Sequence, residues 1–260
     1  MRKFLATILT ILTVFIWSGG AALAESGSRE DWIAAEQARL AADAEYRQAL
    51  LSYQTDKTPE NEEALIEAAK KAMDSALDAA DAWLVWKESE AESDSRVPES
   101  IKTNISNDVA KNRAKIETLR SDVSNVQTQL QAGLVFLKLV GSYVELLADV
   151  ARNTGSMWVH IGEQWVTKTE GYEADLREAA EKLSDNSAII AKLDVAKGEL
   201  ATAKSKVALA KTAYEKVRLP GTPFVKFAEG NAYLRQAQTN LLNAQAQLVG
   251  VFTLIGQGNK

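Results

Sequence analysis

Apolar positions recur along the chain at alternating three- and four-residue steps, most regularly in its middle. Val109, Asn112, Ile116, Leu119, Val123, Val126, Leu130, Gly133, Leu137, Val140, Val144, Leu147 and Ala151 form one such series. Six heptads of this kind predict a coiled-coil-like helix from Pro98 to about Asn153, roughly 80 Å long at 1.5 Å per residue. Its seam would be held by Leu119, Val123, Val126, Leu130 and Leu137. Asn153-Thr154-Gly155 is expected to end it, with Gly155 as a left-handed cap. A return helix then runs from Ser156 to Leu219, with Leu200, Ala203, Val207, Ala210, Tyr214 and Val217 in register. Its phase slips at Ser184-Asp185-Asn186-Ser187, which predicts a kink or short break.

The flanking segments read the same way. Ser28 can cap a first helix that begins at Arg29 and runs to about Tyr53. Thr58-Pro59 opens a second, with the proline at the first helical position, where its missing N–H costs nothing. That helix carries Leu65, Ala68, Ala69, Ala72, Met73, Ala76, Leu77 and Ala80 at three- and four-residue steps. It ends in the apolar cluster Trp83-Leu84-Val85-Trp86, followed by the polar stretch Glu88 to Asp94 and a restart at Pro98. Leu219-Pro220-Gly221-Thr222-Pro223 is a turn. A last helix follows, with Leu234, Ala237, Leu241, Ala244, Leu248, Val251 and Ile255 on one stripe. The expected fold is all-α: an elongated antiparallel bundle, or coiled coil, of about five helices with a long central hairpin. Within this single elongated domain, residues 25–97 form an acidic hairpin, 98–219 the central hairpin and 220–260 a helix packing back on it. The central helices outlast their neighbours, so residues 137–166 are expected to project.

Residues 1–24 stand apart from this pattern. Arg2-Lys3, the apolar stretch Phe4 to Ile16 and the Ala22-Leu23-Ala24 site read as a cleaved signal peptide, placing the mature chain in the periplasm or outside the cell. Thirteen apolar residues are short for a retained membrane anchor.

Composition narrows the chemistry. The 260 residues include no cysteine and one histidine, His160, which excludes thiol catalysis, disulfides and multi-histidine metal centres. Charge is uneven: residues 29–97 carry 8 basic and 17 acidic side chains, whereas residues 171–260 carry 12 basic and 9 acidic. Acidic front helices are thus suited to basic rear ones, within the chain or between copies. No basic block interleaved with aromatics points to nucleic acid. The acidic runs Glu60 to Glu67 and Glu88 to Asp94 lack a calcium-loop pattern and read as solvated helix ends. There is no nucleophile elbow or phosphate-binding glycine loop. No catalytic residue, metal site or cofactor is expected.

The stretch from Ala132 to Val144 is apolar around most of its circumference. It reads as the buried centre of the bundle, as a partner-docking surface or as a hairpin that inserts reversibly into a membrane. A stable span is excluded, because Lys138, Glu145 and Asp149 would each cost about 2.5–3.5 kcal/mol near the bilayer centre. Trp158, His160 and Trp165 cluster further on: Trp158, Ile161 and Trp165 as a packed helix face with His160 turned away, or the group as a ligand or haem pocket or an interfacial aromatic anchor. Phe136, Leu137, Tyr143, Trp158 and Trp165 are therefore the candidate partner or membrane face.

Leu193 to Lys204, Ala213 to Lys216, the Pro220-Gly221 turn and Tyr233 to Leu248 together resemble the coiled-coil hairpin of periplasmic adaptor (membrane-fusion) proteins. The resemblance covers about a quarter of the chain and implies a connector that docks on a tunnel protein through its hairpin tip. The strand-rich segments that flank that hairpin in the family are absent, so composition is what the two share. The expected function is an exported, non-catalytic protein that binds an envelope protein or itself as scaffold, adaptor or assembly subunit. The alternatives are a membrane-active pore-former or lipid binder exposing residues 132–166, and a small-ligand carrier.

Overall fold

The computed structural model describes residues 26–258; the signal-peptide reading of residues 1–24 lies outside them. Six α-helices and no strand occur among the described residues: α1 (Ser26–Thr55), α2 (Pro59–Ser93), α3 (Glu99–Ser124), α4 (Gln129–Glu181), α5 (Ser187–Glu215) and α6 (Pro223–Gly258). The fold is an all-α bundle, as expected, with six helices in place of five.

The long axis belongs to one helix. With 53 residues, α4 is about 80 Å long. Around its N-terminal half, α1 packs on α2, α2 on α3 and α4, and α3 on α4; along its C-terminal half run α5 and α6. Three apolar clusters follow one another along this spine. Met73, Leu77, Leu84, Ile105, Val109, Ile116, Leu139 and Leu146 form the first. Val159, Val166, Val207, Tyr214 and Phe227 form the second, and Ala180, Leu193, Leu200, Leu248 and Val251 the third. In α5 and α6 the buried positions alternate alanine with larger residues: Leu193, Ala196, Leu200, Ala203 and Val207 face Ala237, Ala244, Leu248 and Val251. Small residues let the two backbones approach closely over their whole length.

Two sequence expectations are corrected. The predicted helix from Pro98 to Asn153 is divided, because α3 stops at Ser124 and α4 restarts after a turn at residues 125–128. The restart is a capping box: Thr128 Oγ1 accepts the Gln131 N–H at 3.2 Å, and Gln131 Oε1 accepts the Thr128 N–H at 3.1 Å. Such reciprocal satisfaction of free N–H groups is a strong helix start. The predicted turn at Gly155 is absent. The helix runs through it, and Gly155 is buried. An added β-carbon there would stand 2.3 Å from the Tyr214 ring, so the glycine serves helix–helix approach. Residues 98–219 are consequently three helices and not one hairpin, and residues 137–166 are the packed middle of α4, with no projecting tip.

Several other boundaries agree with the sequence, although α2 runs on to Ser93, past the apolar cluster expected to end it. Thr58 caps α2 by accepting the Asn61 N–H, with Pro59 first in the helix. The break at residues 182–186 separates α4 from α5, and the Pro220-Gly221 turn separates α5 from α6. The first helix begins at Ser26, before the predicted Ser28 cap.

Candidate functional site

Dividing the long helix resets its phase. Leu119, Val123 and Val126 are buried, but past the turn Leu130 is 75% exposed and Leu137 is 66% exposed. Val135, Leu139, Leu146 and Val150 take the inward positions instead. The seam role read for Leu130 and Leu137 is thus corrected: a four-residue turn between two helical segments carries the heptad register across at a different angle. Leu130, Leu134 and Leu137, all exposed, fall within about 60° of one another on α4 at 100° per residue. Gly133 and Gly141 flank this stripe, and a β-carbon on either would meet nothing within 4 Å. Lys138 beside it is held by Asp122 at 3.1 Å.

The five candidate side chains do not form one surface. Phe136 and Tyr143 are half-buried against the first apolar cluster, and Leu137 faces solvent. Burial, followed by the Glu36 carboxylate, raises the Tyr143 phenol above its ordinary pKa; the nearby Arg39 opposes this. Trp158 packs on the second cluster, its ring 6.1 Å from that of Phe227. Trp165 is exposed, with the Lys168 ammonium 5.7 Å from its ring centroid. The two tryptophans therefore do not converge on a common pocket.

A polar cleft opens where α3 and α5, which do not pack on each other, diverge over α4. It holds about 680 Å³ and is lined by side chains that include Asn104, Asp108, Arg152, His160, Lys211 and Glu215. Beneath it, Asn112 Nδ2 donates to the buried Asp149 carboxylate at 3.1 Å. Arg152 bridges Asp149 at 2.8 Å and Asp108 at 2.7 Å. Burial works to lower the Arg152 pKa, but the two carboxylates outweigh it, and the guanidinium is held above its ordinary range. Every charge in this network has a fixed partner, the condition under which a buried ion pair is tolerated. Sequence reading missed the network; Asn112 on an apolar seam and Asp149 within an apolar stretch were its visible signals.

Among the described residues no three His, Asp or Glu side chains gather to hold a metal ion. Among those same residues no helix is long and apolar enough to cross a membrane. Comparison of the chain with protein-family models, with curated proteins and with solved structures finds no match.

Proposed function

We propose that the protein works without catalysis, docking another protein on its helical surface as an exported scaffold, adaptor or assembly subunit. The observation that carries this reading is the α4 stripe of Leu130, Leu134 and Leu137, turned outward beside two glycines that leave room for an approaching helix. Each leucine gains roughly 1.5–3 kcal/mol when fully buried, and open backbone at Gly133 and Gly141 lets a partner helix come close. The leader-like residues 1–24 support export.

The test is site-specific photocrosslinking from position 134 in the producing cell, with exposed Thr118 on α3 as the comparison position. A discrete protein adduct from position 134 is expected, lost on Leu137→Asp and absent from position 118. Lipid adducts, together with co-flotation of the purified protein on anionic vesicles and dye leakage abolished by Leu137→Asp, would replace this reading with the membrane-active one.

A further inference from the structure

The acidic front of the chain and its basic rear never meet within one molecule. Neither α1 nor α2 packs against α5 or α6. Helices α1 and α2 together carry 15 acidic and 6 basic side chains, whereas residues 187–258 carry 9 basic and 4 acidic. On α5, Lys192, Lys197 and Lys211 have no ion-pair partner among the described residues.

Each half also bears an uncovered apolar stripe. On α1, Ile33, Leu40 and Leu51 are exposed and fall within about 20° of one line on the helix. On α6, Leu242, Val249 and Phe252 are exposed on one side. Ile33 and Leu40 stand one heptad apart, as do Leu242 and Val249, so the two stripes share a spacing of about 10 Å. Charge differs by halves. The carboxylates beside Leu40 on α1 are already paired, Glu36 with Arg39 and Asp43 with Arg47, so the front is acidic in its net charge. On the rear, the Lys192 side chain lies over Gly250, next to Val249.

The directions are compatible as well. Gln129 of α4 bonds Glu62, which puts the α1–α2 turn at the N-terminal end of α4, and Trp32 stacks on Trp86 at the other end of that hairpin. α1 therefore runs toward the N-terminal end of α4. α6 runs the other way, from Phe227 beside Trp158 to Val251 in the cluster with Ala180. Two copies of the same polarity, staggered along the long axis, bring α1 of one against α6 of the next in antiparallel order.

We propose that the occupant of these two surfaces is a second copy of this chain, with the exposed α1 stripe on the acidic half of one molecule docking on the basic α5–α6 half of the next. The contact is heterologous, since it joins two different surfaces. Each added copy leaves one free α1 face and one free α6 face, so assembly continues into a filament or closes as a ring. Opposite net charge steers the encounter and sets its register. This surface is separate from the α4 stripe, and the proposal stands or falls independently of the partner proposed there.

The test is sedimentation velocity of the purified protein, up to about 100 µM to capture weak contacts. Each run is made in about 0.02 M and about 0.5 M salt, where screening is weak and strong respectively. In low salt the weight-average mass is expected to at least double with concentration, and high salt should weaken association at least tenfold. Leu40→Asp and Val249→Asp each abolish growth; Ile33→Asp and Leu242→Asp repeat the experiment at neighbouring exposed positions, and circular dichroism verifies that all four remain helical. Mixing the Leu40→Asp and Val249→Asp chains decides the geometry: each keeps one intact face, so together they form a one-to-one complex of twice the monomer mass. Thr118→Asp, at an exposed position of α3 outside every proposed surface, leaves association unchanged. A wild-type protein that stays monomeric, association indifferent to salt, or a variant mixture that remains monomeric overturns the proposal.

Discussion

The ring of Tyr214 occupies the space in which a β-carbon on Gly155 would stand, with Cγ and Cδ1 both 2.3 Å from that point. A β-carbon on Gly230 of α6 would meet the same ring from another helix, 2.6 Å from Cε1. One aromatic side chain thus fills the junction of α4, α5 and α6, and two glycines 75 residues apart in the chain make room for it. Its hydroxyl donates to Asn231 Oδ1 at 2.6 Å.

Gly155→Ala forces a methyl group against the rigid base of a buried ring, and is expected to cost about 1–3 kcal/mol. Gly141→Ala, where nothing lies within 4 Å, should instead stabilise by about 0.5–1 kcal/mol through a better helix former. Urea unfolding of the two variants gives opposite signs. Equal effects would remove the close-packing account of Gly155.

Leu139 and Leu137 test the register of α4. Leu139 is buried and Leu137 is not, so Leu139→Ala should lower stability by about 2–5 kcal/mol and Leu137→Ala by less than about 0.5 kcal/mol. The continuous seam read from the sequence requires the larger loss at Leu137. Denaturant midpoints measured side by side separate the two registers.

The Asn112–Asp149 pair is expected to behave as a unit. Asn112→Ala removes a donor from a buried carboxylate and should cost about 1–3 kcal/mol. Replacing both residues with leucine removes the unmet polar demand and should cost less than the two single leucine changes added together. Additive losses in a double-mutant cycle would show that the two side chains are independent.

Burial raises the phenol pKa of both Tyr143 and Tyr214. Each folded-state phenol then keeps its proton at a pH where the unfolded chain has lost it. The stability they contribute is complete below the unfolded value of about 10 and falls as pH rises above it. Urea midpoints between pH 8 and pH 11 should therefore decline, and the decline should be shallower in Tyr143→Phe and in Tyr214→Phe. A slope that neither substitution changes would assign the alkaline loss to other groups.

Much of this architecture was legible in the sequence because helix formation and helix pairing are periodic. The three- and four-residue steps in residues 109–126 and 200–217 recovered the buried faces of α3 and α5. The Thr58-Pro59 cap and the Pro220-Gly221 turn are local chemistry and were found where they stand. The start of α4 was also written locally, in Thr128 and Gln131, but the apolar series runs straight across the turn and hid it.

What the linear pattern could not hold was the angle and the neighbour. Whether Leu130 and Leu137 face the core depends on how far four residues of turn rotate α4 relative to α3. Nothing near Gly155 distinguishes a helix cap from a seat for an aromatic ring supplied by Tyr214, 59 residues later. Likewise the sequence revealed opposite charge in its two halves, and only packing showed that α4 keeps them apart within a molecule. Local hydrogen bonding and periodicity determine which residues become helix; tertiary packing alone decides which faces are covered and which stay exposed.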